Sequence, residues 1–472
     1  MAILTMKFGG ASVGTTGALT QVLSIVLQEH ERHDKLILVV SALDGVTDAL
    51  IEAAELAQVG NRRGYRRITN TLRTRHLALI EHLPLGPTEQ NVLHADIDRL
   101  LFDMLDVCQA LADQHLEEDR PPQAVMDQII GVGERIAARI VAALLRQNNL
   151  RGVAVDATDL IITDGVFGNA RPDMALTRER IQQTLMPMLA RDIMPVVTGF
   201  IGSTPTGNIT TMGRGGSDYT ASVLAVCTNS DEVWMWTDVD GMMTANPREE
   251  EKARTIPHLS YDEVAELAYF GAHILHSRMI GPLRDYKIPL RIKNVFSPRK
   301  AGTTVRDIPI SKNVGLKAVT SIHGLALTSV HSGPLTEISA LIDQTMQSTI
   351  GNHADVMITS QSSDRSFACF VIPTHAGPDA VRAIHQALET ALEESEAITD
   401  DWAIERVSII TVVGAGIEYQ PQLVAYVFQA LSNIPLLGLA QGPSGCSLSL
   451  VIHHNHLKQA LQQIHHTIIN SA

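Results

Sequence analysis

The run Met212-Gly213-Arg214-Gly215-Gly216-Ser217-Asp218 combines what an anion site needs. Its glycines let the backbone turn tightly and approach a ligand closely. Ser217 or Asp218 is placed to cap a helix expected from Tyr219 to about Val226, whose first amides then point outward, unpaired and attractive to an anion. Arg214 adds a planar, permanently charged fork suited to a carboxylate or phosphate. The same run is also an ordinary tight strand-to-helix turn. A second candidate is Lys7-Phe8-Gly9-Gly10-Ala11-Ser12-Val13-Gly14, laid out as a phosphate cradle of strand, glycine turn and helix. It is not a Walker A loop: GxxxxGK[ST] is absent and the lysine precedes the glycines. Taken alone, its glycine pair is also simply a turn. In Gly131-Val132-Gly133-Glu134-Arg135, Glu134 is either a favourable charge at a helix start or a holder of a substrate ammonium.

These groups need a scaffold that gathers them, and the hydrophobic pattern supplies one. Ala2 to Phe8 reads as a short buried strand, followed by a helix from Ala18 to Glu29. Lys35 to Val40 is a continuous apolar run of strand length, followed by the polar loop Ser41-Ala42-Leu43-Asp44-Gly45-Val46-Thr47 and a helix from Asp48 to Ala57. Repeated β-then-α units argue for a mostly parallel sheet covered on both faces, with ligands beyond the carboxyl ends of its strands. Residues 60–150 read as helical. Gly152 to Thr158, Met194 to Ile201, a return strand from Gly207 and Glu232 to Trp236 read as strands. Tyr261 to Leu275 reads as a helix, and Pro289 to Asn294 as the last strand of this part.

Composition narrows the function classes. A chain of 472 residues exceeds one core and implies two to four domains. Net charge is −14 with no basic cluster standing out, which argues against a nucleic-acid partner. No apolar run is long enough to span a membrane, and no signal peptide precedes the first motif, so a cytoplasmic location is expected. Cys108, Cys227, Cys369 and Cys446 are scattered, without CxxC or metal spacing, and read as buried free thiols of a reducing compartment. Nineteen histidines include no HExxH, and no protein-borne metal site is expected.

From about Asn313 the character changes. Gln361 and Gln441, Val371-Ile372 and Val451-Ile452, and Ile384-His385 and Ile464-His465 share one offset of 80 residues. Each copy reads strand, helix, strand, strand, helix. No catalytic cluster is visible there, so binding or pairing is the expected role.

Taken together, the motifs resemble those of the aspartate kinases within the amino acid kinase family. Lys7-Phe8-Gly9-Gly10, Val40-Ser41-Ala42, Gly133-Glu134-Arg135, Gly213-Arg214-Gly215-Gly216-Ser217-Asp218-Tyr219, Trp236-Thr237-Asp238-Val239-Asp240-Gly241 and Tyr269-Phe270-Gly271-Ala272 occur in family order. The resemblance implies an α/β catalytic domain over 1–306, a mostly parallel sheet between helices. Two ferredoxin-like βαββαβ ACT domains follow, over 313–396 and 404–472. The strand near Val314 to Val319 is expected to join the C-terminal module.

The activity implied is ATP-dependent phosphorylation of the β-carboxylate of L-aspartate, with Mg²⁺ held mainly by the ATP phosphates. A carboxylate is already ionised at neutral pH, so no general base is required. The resemblance assigns Lys7, Arg214 and Asp218 to catalysis, with Asp218 positioning the Lys7 ammonium. The ATP side takes Lys7, Gly9, Gly10, Ser12, Thr237, Asp238, Met243, Arg248 and His273. The substrate side takes Ser41, Thr47, Glu134, Arg214 and Ser217, with Glu134 on the ammonium. Ala11, Met243, Asn246 and His273 stand where the family commonly has Thr, Tyr, Asp and Lys. A lysine or threonine effector at the ACT domains and a homodimer or higher homo-oligomer are implied as partners. Rival readings are an impaired amino-acid-sensing regulatory subunit and a kinase for another small acidic amino acid.

Overall fold

The computed structural model describes residues 2–114, 121–271, 275–308, 314–329, 335–351, 353–363, 365–371, 378–395 and 402–471. Two compact units emerge. The first takes Met1–Met242, Thr255–Tyr261 and Ile274–Asp307; the second takes Met243–Arg254, Asp262–His273 and Ile308–Ala472.

In the first unit, β1 (Ile3–Phe8), the short α1 (Gly10–Val13), α2 (Thr16–His30), β2 (Lys35–Val40) and α3 (Val46–Gln58) open the chain. Then come α4 (Arg62–Glu81), α5 (Pro87–Asp113), α6 (Gln123–Ile130), α7 (Val132–Gln147) and β3 (Gly152–Val155). After them stand α8 (Met174–Ala190), β4 (Met194–Thr198), the hairpin β5 (Ile201–Ser203) and β6 (Ile209–Thr211), α9 (Gly216–Thr228) and β7 (Glu232–Thr237). The unit closes with β8 (His258–Leu259), α11 (Ser277–Asp285), β9 (Leu290–Asn294) and β10 (Thr303–Val305), while α10 (Tyr261–Tyr269) lies almost wholly in the second unit.

The main sheet runs β3-β4-β2-β1-β7-β9-β10-β8. All neighbouring pairs from β3 to β9 are parallel, and β10 runs antiparallel to β9. Parallel strands buried on both faces need apolar residues on both, as Leu36 to Val40 show, all at most 2% exposed. The order reverses at β1: β2, β4 and β3 lie to one side, β7 and β9 to the other. That reversal opens a crevice at the strand ends. Side chains alternate along β1. Leu4, Met6 and Phe8 enter the core built with α2, α5 and α7, while Thr5 turns the other way, toward Ser230 just after α9. Lys7 follows Thr5 onto the α9 side.

Several elements depart from the sequence pattern. The strand expected over 194–201 breaks after Thr198: Phe200 takes φ 72°, and Ile201 restarts in the β5–β6 hairpin. The strand expected to Thr158 stops at Val155, and 157–159 form a 3₁₀ turn. The helix expected to Leu275 ends at Tyr269; residues 272–274 lie outside the described residues. A further strand, β10, follows the one expected to be last. A basic cluster does exist. Arg63, Arg66, Arg67 and Arg75 line one groove on α4, and Arg62 and Arg73 pair with Asp113 and Asp98 of α5.

In the second unit, β11 (Gly315–Ser329), α12 (Leu335–Ile350), β12 (Asp355–Gln361), β13 (Ser366–Val371) and α13 (Pro378–Glu394) are followed by β14 (Trp402–Ala415), α14 (Pro421–Ala430), β15 (Gly438–Gln441), β16 (Ser447–His453) and α15 (Leu457–Ser471). Both copies show the expected strand–helix–strand–strand–helix order. All six strands form one antiparallel sheet, β12-β13-β11-β14-β16-β15. The long strands β11 and β14 pair from Gly315↔Ala415 to Ser329↔Trp402 and belong to both modules. Leu325 and Leu327 pack with α12 and α13; Leu316 and Val319 pack with Ile410, Val412, α14 and α15. The start of β11 thus packs within the C-terminal module, and each module gathers four strands and two helices.

Shared strands couple the two modules. Leu450 is fully buried in the C-terminal module, and Leu450→Ala should cost about 2–5 kcal/mol. Amide exchange should then quicken in β13 of the other module as well as in β16. Unchanged β13 protection would mean that the modules open separately.

Candidate active site

Beyond the end of β1 the chain cannot continue straight. The Gly9 amide donates to the Trp236 carbonyl of β7 at 3.3 Å, and the Ser12 hydroxyl reaches the same oxygen at 3.3 Å. The turn is thereby pinned across the point where strand order reverses. Gly10 and Ala11 begin α1, where amides have no intrahelical acceptor. The Lys7 ammonium lies 2.5 Å from Asp218 Oδ1, both side chains only 12% and 11% exposed. Asp218 sits in the first turn of α9 and so meets the face of β1 that carries Lys7.

α9 comes this close because two positions lack a side chain. Gly215 takes φ 72° to enter the helix, and a Cβ there would collide with His276 at 2.2 Å. A Cβ on Gly199, at the end of β4, would lie 2.5 Å from Ser217 Cβ. The turn is also held from α11. The Arg278 guanidinium donates to the Met212 carbonyl at 2.8 Å. His276 caps α11 by accepting the Arg278 amide at 3.4 Å. Burial, and then the Arg278 charge, hold His276 below its ordinary pKa, which keeps that nitrogen an acceptor.

Glu134 arrives from the opposite layer. It stands in the first turn of α7 and is 3% exposed. Its Oε1 accepts the Ala42 amide at 3.1 Å, while Oε2 is buried and has no hydrogen-bond partner. Burial pushes this carboxyl up to about 7; the bonds from Ala42 and its own amide, and the charge of Lys7, oppose that rise. A buried carboxylate oxygen without a donor is costly and suits a cationic ligand.

The remaining expected residues divide by unit. Ser41 and Thr47 flank the loop whose Ala42 amide holds Glu134, both partly exposed. Ser217 is 8% exposed in the first turn of α9, and Arg214 is exposed in the turn before it. Thr237 donates to Asp238 at 3.1 Å at the end of β7. Met243 and Arg248 belong to the second unit, and His273 lies outside the described residues.

Three details differ from expectation. α9 is entered through Gly215, with no side-chain cap from Ser217 or Asp218, which lie inside the helix. The Gly9 amide is committed to the Trp236 carbonyl, whereas it was expected to face a phosphate. Ser12 is fully buried and its hydroxyl faces Trp236, a bracing contact. The Trp236 carbonyl, His276 and Arg278 escaped the sequence reading, because a main-chain acceptor and distant side chains leave no local pattern.

With the geometry in place, comparison with known proteins decides the family. The profile described as "Amino acid kinase family" matches residues 3–294, well over half the chain. The chain belongs to the amino acid kinase family. An ACT domain profile matches residues 410–468. The bifunctional aspartokinase/homoserine dehydrogenase 1 of Arabidopsis thaliana is 27% identical over 97% of this chain. This chain spans 50% of that protein's length. Aspartokinase 1 of the same plant is 27% identical, with 99% and 80% of the two chains covered. Escherichia coli aspartokinase III, solved with aspartate and ADP, superposes with a TM-score of 0.78 at 25% identity, covering 99% of this chain and 100% of that one. The same enzyme solved with lysine and aspartate gives 0.79. The α/β fold with ACT domains is therefore shared with aspartokinases.

A pH test follows from Glu134 within this family member. An unfolded glutamate titrates near 4.3. With the folded value raised to about 7, the folded chain holds a proton that the unfolded chain has lost across that window. The contribution of Glu134 to ligand-free stability therefore falls as pH rises from about 4 to 7. Glu134→Gln should lose this slope and gain about 1–3 kcal/mol on wild type between pH 5 and pH 8 in urea unfolding. A pH-independent difference would show that Glu134 ionises normally.

Proposed function

We propose that the chain is an aspartate kinase, converting ATP and L-aspartate to ADP and 4-phospho-L-aspartate. The observation that carries this reading is Glu134: a buried carboxyl with one oxygen committed to Ala42 and the other without a partner, within electrostatic reach of Lys7. It suits the ammonium of an amino acid. Arg214 takes a carboxylate of the same substrate, and Ser41, Thr47 and Ser217 line the space between donor and acceptor. On the nucleotide side the Lys7 ammonium, steadied by Asp218, lies against the phosphates beside Gly10 and Ala11. Thr237 and Asp238 complete that side.

The reaction needs no base, because the attacking β-carboxylate is already ionised. Its difficulty is repulsion between two anions. Lys7 and Arg214 offset that repulsion, and holding donor and acceptor in line supplies the rest. Among the described residues no group of three or more His, Cys, Asp or Glu is placed to hold a metal ion. Mg²⁺ fits this donor set only as a partner of the ATP phosphates.

Catalysis is assigned to residues 1–306 and amino-acid sensing to 313–396 and 404–472. Lysine is the effector favoured by the resemblance to the lysine-bound aspartokinase III, with threonine the alternative. Among the described residues no helix is long and apolar enough to cross a membrane, and the proposed location is the cytoplasm. A homodimer or higher homo-oligomer, formed through the ACT modules, is the proposed assembly.

ADP release should depend on L-aspartate, and hydroxylamine should trap the acyl phosphate. Turnover without aspartate, or none at all, would end the proposal. Arg214→Ala should lower kcat/KM for aspartate about 10- to 100-fold, since an unpaired charge costs about 1.5–3 kcal/mol. Near-normal kcat/KM would remove Arg214 from the site. Aspartate binding near pH 7 should release protons as the ammonium ionises Glu134. Calorimetry in buffers of different ionisation enthalpy reads that release, and Glu134→Gln should abolish it.

A further inference from the structure

We infer that Asp127 is a positioning residue that sets the span between the two ends of the amino-acid site. This rests on the reading of Glu134 and Arg214 as holders of the substrate ammonium and carboxylate.

Asp127 lies in α6 with no exposed surface. Its Oδ2 accepts the Gly168 amide and the Thr211 amide, each at 2.8 Å. Its Oδ1 accepts the Thr211 hydroxyl at 2.8 Å and the Gln123 side-chain amide at 3.2 Å. A carboxylate has about four acceptor positions, and here each finds a donor, which is what makes such burial tolerable. Gln123 belongs to the same helix. The other three bonds tie α6 to β6 and to the loop that precedes α8.

Those two segments lead to Arg214 by separate routes. Thr211 ends β6, three residues before Arg214. The loop reaches Gly213, next to Arg214: Gly168 O and Asn169 Oδ1 lie 2.9 and 3.1 Å from where a Gly213 Cβ would stand. In the other direction, α6 is followed by α7 with only Gly131 between them, and Glu134 stands in the first turn of α7. Gly131 packs against the same hairpin: a Cβ there would come within 2.8 Å of Ile201 Cγ2. Ile201 is the register partner of Thr211. One polar and one apolar contact, side by side, therefore lock the helices carrying Glu134 to the strand that delivers Arg214.

An amino acid's ammonium and carboxylate can be held together only if their partners stand at a matching separation. Asp127 thereby governs aspartate affinity. The nucleotide-side anchors, Lys7 and the Gly9–Trp236 bond, rest on β1 and β7, which Asp127 does not touch.

The test uses the full-length protein. Asp127→Ala should raise KM for L-aspartate about 10-fold or more and leave KM for ATP within about 2-fold, because small misplacements are costly at a positioned substrate. Asp127→Asn can keep accepting through one oxygen while its amide donates to the Thr211 hydroxyl, and should retain most of the affinity. If Asp127→Ala does not fold, Thr211→Val, which loses only the hydroxyl bond, should show a smaller shift of the same kind. Independently of activity, amide exchange at Gly168 and Thr211 should quicken in Asp127→Ala, with β1 and β2 unchanged. Equal rises in both KM values, or unchanged protection at Gly168 and Thr211, would overturn the inference. A wild-type chain without aspartate turnover would overturn the kinase reading instead, and the exchange result would still decide whether Asp127 braces the site.

Discussion

Two charged groups held at the end of a buried strand are the constraint on which the rest of the first unit depends. Lys7 and Asp218 face each other at 2.5 Å with little exposure. A pair removed from water costs much of what its attraction gains, so it is weak evidence for stability. What it secures is placement. Lys7 must leave β1 on the α9 face, α9 must come close enough for its first turn to meet the strand, and β1 and β7 must end together so that the turn after Lys7 can be pinned. Each condition is met by one local feature: alternation along β1, the missing side chain at Gly199, and the doubly used Trp236 carbonyl.

The opposite wall is built on a different logic. Glu134 is half satisfied, and its carboxyl is raised toward neutrality because solvent has been taken away without a full replacement. Placing such a group at a helix start, where amides and the helix dipole favour negative charge, limits the penalty. Leaving one oxygen open keeps part of it. On the proposed reading, the substrate ammonium would relieve a cost already present in the ligand-free protein. Interactions gained only on binding are the ones a substrate site can use to discriminate.

Much of this was legible in the sequence, and the legible parts share a property. Lys35 to Val40, the helix after Gly215 and the 80-residue repeat are patterns within one short stretch, or a stretch compared with its copy. The motifs around Lys7, Glu134 and Gly213 to Asp218 each carry their chemistry locally. The stretch 194–201 reads as one strand because the apolar run continues through Phe200, while the backbone turns there into positive φ, a region a bulky residue seldom enters. Ser217 and Asp218 are good capping types, so the sequence points to them as the cap of α9. The chain instead enters the helix one residue earlier, at a glycine, and frees Asp218 for Lys7.

The parts that stayed hidden act across long sequence separations through ordinary atoms. The acceptor that pins the β1 turn is a main-chain carbonyl 227 residues after Gly9, and any residue at 236 would offer one. Arg278 steadies Met212 from 66 residues away, and nothing near it marks it out from the arginines of α4. Met243 and Arg248 looked local to the strand-end motif at 237–241. The chain passes into the other unit after Met242, and Thr244 there bonds Val319 and His465. Proximity in sequence to a motif is therefore weaker evidence of sharing its site than a direct contact is: Lys7 meets Asp218 and Glu134 meets the Ala42 amide, whereas Met243 and Arg248 are linked to that end of the sheet by resemblance alone.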